Sequence, residues 1–364
     1  MSFPLLPAET WDQIIHDFSA ADLVKFRGTS RALCRLASPR AFATLLATNT
    51  LTSGRNLYNL MKSPNVAAYV KKVIYQHSTE WTSDHAKVRK VLGSAFLLLG
   101  ELPSLRDVVL HFRPEYVERY HITHEIPSPD LLVQLMILSS MANSSFEASN
   151  LPRSLKITGL IARHDHMYRA DVFKTLVSRL TSLSFTTLAD ETRFYAHLPV
   201  GEFWCKDVLA IIRPSASTLR SLTIHSNLHV GRHPPLNLDE LTLPNLKNLS
   251  IGRIHFCTES GAEAFVLRHR DTLTSLGLAY CSIANPRGRL WSHVYDTLAR
   301  ELHRLVKLEV LAPLGAHTYH ASTVQGPLVP FGMPTEALIE DHVSLVKFHS
   351  VVRDRKSALR QAPT

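Results

Sequence analysis

Apolar positions recur along most of this chain in one short template, apolar-x-x-apolar-x-apolar. It reads VKKVIY (Val70, Val73, Tyr75), LRDVVL (Leu105, Val108, Leu110), LTSLSF (Leu180, Leu183, Phe185) and LRSLTI (Leu219, Leu222, Ile224). It continues as LKNLSI (Leu246, Leu249, Ile251), LTSLGL (Leu273, Leu276, Leu278) and LVKLEV (Leu305, Leu308, Val310), and a degenerate copy, PRSLKI, has Pro152 in the first slot with Leu155 and Ile157. The last two apolar positions of each copy are two apart, so they face the same way on a strand. Residues 84–99, 130–142, 171–178, 202–213, 258–270 and 290–303 carry apolar residues at three-four spacing and are predicted as helices. A strand followed by a returning helix, many times over, predicts an α/β fold with parallel strands on one face and helices on the other. From Thr335 onward Leu338, Ile339, His342, Leu345, Val346 and Val352 predict a terminal helix capping the last repeat. Residues 313–334, rich in Pro and Gly, read as a loop.

The N-terminus follows a different rhythm. Trp11, Ile14, Ile15 and Phe18 form one apolar helix stripe, and Pro7 suits the first turn. Ser19 with Asp22 reads as an N-cap pair that opens a second helix through Leu23, Phe26, Ser30 and Leu33. Ser38-Pro39 is read as opening a third, with Phe42, Leu45 and Leu46 on one side. Three short helices in fewer than fifty residues make a bundle with little core of its own, and such a bundle buries its remaining apolar surface against a partner or a following domain. The chain is thus expected to divide into a helical domain over 1–50, a repeat domain over 51–334 and a C-terminal helical cap over 335–364.

LPAETWDQIIHDFSAADLVKFRGTSRALCRLAS resembles the F-box motif without a gap, through Leu6-Pro7, Glu9, Ile14-Ile15, Asp22-Leu23, Arg31 and Arg35. It departs from the family at Ser30, where Cys is usual, and at Leu33, where Trp is usual. The resemblance implies a docking module for the Skp1-type adaptor of a cullin-RING ubiquitin ligase, with contacts from Leu6, Pro7, Ile14, Ile15, Leu23, Phe26 and Leu33. The template copies resemble irregular leucine-rich repeats. The middle residues of the 222, 249 and 276 copies are 27 apart, within the family's period, while longer steps elsewhere require insertions. Asn227 and Cys281 stand three residues past the last ladder position, where the family places Asn or Cys to satisfy backbone groups of the turn. The combination looks like the fungal F-box/leucine-rich-repeat proteins. It implies a non-enzymatic substrate receptor that holds an unknown target protein on its repeats.

Composition narrows the alternatives. Leucine numbers 54 and glycine only 14, which fits a ladder and disfavours phosphate loops. The net charge of +9 invites a nucleic-acid partner, but residues 51–90 alone carry +5, around Lys71-Lys72, Lys87, Arg89 and Lys90. Across 91–334 the charge nearly cancels, unlike a continuous phosphate-binding stripe, so nucleic acid is disfavoured. Four separated cysteines without a CxxC pair, no basic leader and no apolar run of bilayer length predict an intracellular protein without a membrane anchor. No phosphate-loop, nucleophile-elbow, zincin or EF-hand motif occurs, so no cofactor and no metal are expected. The close pairs among twenty histidines, His121/His124, His164/His166 and His317/His320, are read as loop or surface residues. A stand-alone repeat scaffold outside any ligase is the alternative from another class.

Overall fold

The computed structural model describes residues 7–78, 84–112, 128–147, 150–189, 198–284, 289–311, 318–322, 328–330 and 332–361. It is mixed α/β, with a predominantly parallel set of strands. Internal contacts divide the chain into two compact units, Met1–His111 with Leu135–Pro152, and Phe112–Gln134 with Arg153–Thr364.

The first unit starts with three helices, α1 (Ala8–His16), α2 (Ala20–Arg27) and α3 (Arg31–Ala41). Ser19 caps α2 as expected: its hydroxyl accepts from the Asp22 amide at 3.2 Å and donates to the Asp22 carboxylate at 2.6 Å. The second boundary differs from the sequence reading. α2 stops at Arg27, and Ser30 opens α3 by accepting from the Leu33 amide at 3.2 Å. Ser38-Pro39 therefore lies inside the last turns of α3.

Leu45 and Leu46 belong to a strand, β1 (Thr44–Thr48), followed by α4 (Leu51–Met61). β1 pairs in parallel with β2 (Lys72–Gln76), and β2 with β3 (Asp107–His111). Register places Leu45, Val73 and Val108 opposite one another, and likewise Ala47, Tyr75 and Leu110. Phe42-x-x-Leu45-x-Ala47 is thus a further copy of the template, hidden by the small Ala47. Helix α5 (His85–Phe96), capped by Asp84, completes this stretch, and the division between units falls within α6 (Pro129–Ala142).

In the second unit β4 (Ser154–Ile161), β5 (Ser182–Leu188), β6 (Ser221–Val230), β7 (Asn248–Phe256), β8 (Ser275–Ala279) and β10 (Lys307–Leu311) pair successively in parallel. The predicted ladder is in register throughout: Leu155, Leu183, Leu222, Leu249, Leu276 and Leu308 form one row, and Ile157, Phe185, Ile224, Ile251, Leu278 and Val310 the next. All but the two residues of β10 are buried, each such side chain contributing about 1.5–3 kcal/mol. A backbone device marks every step. The carbonyl after the first ladder slot accepts two N–H groups from the following copy, as Thr181 does from Arg220 at 2.8 Å and Ser221 at 3.0 Å. Arg153, Arg220, Lys247 and Thr274 repeat it here, and Ala43 and Lys71 repeat it in the first unit.

Helices α7 (Asp171–Val177), α8 (Ala262–Arg268) and α9 (Trp291–Glu301) fall where three-four spacing places them. The segment predicted over 202–213 is a composite of Leu198–Glu202, a π turn Phe203–Asp207 and Val208–Ile212. A correction concerns residues 313–334. They contain two strands, β11 (Thr318–Ser322) and β12 (Leu328–Pro330), antiparallel to each other, where a loop was expected. β11 runs parallel to β9 (Ser282–Ala284), which itself pairs with the end of β7.

The terminal helix α10 (Thr335–Gln361) clasps α9 at both ends. Buried Asp341 accepts from the Ser292 amide at 2.7 Å and from the Tyr319 hydroxyl, whose oxygen accepts from the Trp291 amide at 2.9 Å. Arg355 donates to the carbonyls of Ala299 at 2.6 Å and Leu302 at 2.8 Å. The two orphaned termini of α9 are thereby satisfied from one neighbouring helix.

Candidate functional site

The helical head has a core of Ile15, Leu23, Ala37 and Ala41, with Phe26, Leu36 and Phe42 packed against it. Ile15 is 1% and Leu23 4% exposed, so these two expected contact residues hold the bundle together and present no surface. Ile14 behaves differently, at 39% exposure, and Phe18 and Val24 are also partly open, at 36% and 49%. Pro7 is exposed, Phe26 and Leu33 are half-buried, and Leu6 lies outside the described residues. Phe26 sits beneath two partners, Trp11 at 5.9 Å and Phe18 edge-on at 5.5 Å. Phe18 and Val24 were missed as contact candidates because helical periodicity ranks a residue by its stripe and not by how much of it stays wet.

The head is joined to the ladder through Phe42. This ring packs on the head core, takes the Arg27 guanidinium at 4.3 Å, and fills the first slot of the β1 copy. Arg27 also donates to the Ser38 hydroxyl at 2.8 Å, which ties α2 to α3.

In the second unit, the strand face opposite the ladder carries short polar side chains. One row in register is Lys156, Ser184, Thr223, Ser250, Gly277 and Glu309, and the next is Ser154, Ser182, Ser221, Asn248, Ser275 and Lys307. Asn227 does what its position implies: its side chain accepts from the Ala189 amide at 2.9 Å and donates to the Ala189 carbonyl at 2.8 Å. Buried Cys281 points its thiol to the Ile251 carbonyl at 3.6 Å, and burial pushes that thiol up to about 12. A further buried amide, Asn49, makes the same two-ended contact to the Ser78 backbone, at 2.6 Å and 3.2 Å. It stands two residues past its ladder position, which is why spacing alone did not find it.

Two groups of polar side chains could suggest chemistry. Asp207, on the π turn, accepts from His164 Nδ1 at 2.8 Å and from the Asp165 amide at 3.1 Å, while Arg169 bridges His164 at 3.2 Å and His166 at 3.0 Å. No serine, threonine or cysteine bonds to either ring among the described residues, so this acid–histidine pair has no nucleophile to activate. A cleft of about 600 Å³ is lined by Phe256, Cys257, Ile283 and a rim of charges. Each rim acid already faces an arginine: Asp239 with Arg268, Glu259 with Arg232 and Glu263 with Arg289. Burial raises the Cys257 thiol, which keeps it protonated and poorly nucleophilic.

No family model and no curated protein matches this chain. The functional reading therefore rests on its own residues and geometry. Of the paired histidines read as loop or surface residues, His166 is exposed, His164 is half-buried and His320 is buried, while His121, His124 and His317 lie outside the described residues. Among the described residues no three His, Cys, Asp or Glu side chains are placed to hold a metal ion, and no helix is long and apolar enough to cross a membrane.

Proposed function

We propose that the protein is a substrate-receptor subunit of a Skp1–cullin–F-box type ubiquitin ligase, with the head docking a Skp1-type adaptor and an irregular leucine-rich-repeat solenoid holding a target protein. The observation that carries the reading is the pairing of an apolar, partly open head, with Ile14, Phe18 and Val24 exposed, with a ladder in register over three copies in the first unit and six in the second. Exposed apolar side chains clustered on a small helical module favour a partner, because water contact with them is costly. The mechanism is positional: the chain performs no chemistry and raises the effective concentration of target lysines near a charged transfer enzyme. The target contacts would come from the short-side-chain strand face and the loops at its ends. In this reading Pro7, Ile14, Phe26 and Leu33 supply docking surface, joined by Phe18 and Val24, while Ile15 and Leu23 set its shape.

One observation favours a second reading, a stand-alone repeat scaffold whose head is only an end cap: Phe42 belongs at once to the head core and to the ladder. Purification of the tagged full chain from cells, followed by mass spectrometry, separates the two. The receptor reading expects a Skp1-type adaptor and a cullin in the wild-type sample and their loss from Ile14→Asp/Val24→Asp, which alters only open positions. A wild-type sample without adaptor supports the scaffold.

A further inference from the structure

Three histidines from distant parts of the sequence meet where the far ends of β6 and β7 approach the middle of β11. The ring of His229 lies 5.2 Å from that of His255 and 4.5 Å from that of His320, and His255 and His320 are 5.1 Å apart. His255 and His320 are buried, and His229 is half-buried. Two rings are fixed by neutral partners: His255 Nδ1 meets the Ser282 hydroxyl at 2.7 Å, and His229 Nε2 donates to the Tyr280 carbonyl at 3.0 Å. Nδ1 of His320 is buried without a partner.

Among the described residues, no acidic side chain bonds to any of the three rings. β7 contributes Arg253 beside His229, and the turn after β6 contributes Arg232 and His233, which act on His255. Glu259, from the segment after β7, is engaged by Arg232 at 3.3 Å. Ser260 binds the His255 carbonyl, at 2.6 Å, and leaves the ring alone. From the start of β9 comes Ser282, and from β11 comes His320, while Tyr319 turns to the opposite side to bond with Asp341 and the Trp291 amide. Burial above all, then the neighbouring rings and arginines, holds His229 and His255 below the ordinary imidazole range, and burial does the same to His320.

We propose that this cluster is an acid-sensitive latch: neutral, it packs β11 onto the sheet, and on protonation it releases β11 together with the hold that Tyr319 has on the terminal helix α10. β11 is the element to yield, because it pairs with β9 over only three residues and His320 is the side chain it places in the cluster. In the released state the rings recover an ordinary value near 6.5, so that state binds more protons than the closed one below that pH. Closure is therefore fully favoured above about pH 6.5 and weakens as pH falls below it, by at most about 10³ per pH unit if all three rings charge together. The inference does not depend on the ligase reading.

Hydrogen exchange of the full chain at pH 7.5 and pH 5.0, corrected for intrinsic exchange, tests it. Acidification is expected to speed exchange at 318–322 at least ten-fold while 182–188 and 221–226 stay protected. Two single variants, His320→Phe, which keeps a ring but takes no proton, and His229→Gln at the half-open position, are expected to shrink that acid response at least three-fold. Exchange at 318–322 that is unchanged between the two pH values in the wild type would overturn the proposal. So would a full acid response in both folded variants.

Discussion

Single side chains set the turns of this protein, and their effects are separable. Asn227 closes a two-ended contact on the Ala189 backbone, so Asn227→Ala leaves an amide and a carbonyl without their partner. A loss of about 1–3 kcal/mol is expected from chemical denaturation, and a change within error would show that the turn is satisfied otherwise. Asp341 holds the N-terminus of α9 and the Tyr319 hydroxyl from a fully buried position. Asp341→Ala should cost about 1–3 kcal/mol for each of the two donors it strands in a dry site, seen as a lower melting temperature. Asn227 was legible in the sequence because a fixed offset from the ladder points to it. Asp341 and the three clustered histidines were not. Residues 229, 255 and 320 come together only through strand register, which no local pattern announces.

Among the elements, the ladder strands were the most legible, since period-two apolar slots translate directly into buried rows. The exceptions have physical reasons. β1 escaped because Ala47 is too small to read as a ladder residue and because Phe42, Leu45 and Leu46 also fit a helical face. Ser38-Pro39 imitates a helix start, yet α3 continues through it: the Ser38 hydroxyl takes the Cys34 carbonyl, and the helix ends soon after, at Ala41. β11 and β12 escaped because they are short, lie in a stretch, 313–334, rich in Pro and Gly, and pair over only three positions. The head separates folding from docking. Leu23→Ala and Ile15→Ala remove core atoms and should each cost about 2–5 kcal/mol, whereas Ile14→Ala and Val24→Ala should stay within about 0.5 kcal/mol by denaturant titration. Comparable losses at the open positions would place them in the core instead.

On the scale of the whole molecule, one backbone device and two ladder rows recur over β1–β3 and again over β4–β8 and β10, and in the second unit the opposite strand face carries mostly short polar side chains. The excess of leucine is accounted for by that repetition, and the positive charge of residues 51–90 is partly engaged locally, as where Lys87 pairs with Asp84. The receptor reading joins this scaffold to an apolar head that its own fold leaves partly open. Titration of purified full-length protein with a purified Skp1-type adaptor, by calorimetry, tests that claim most directly. Wild type is expected to form a saturable one-to-one complex, and Ile14→Asp/Val24→Asp to bind at least hundred-fold more weakly with circular dichroism unchanged. Absence of binding by wild type, or undiminished binding by the folded double variant, would contradict it.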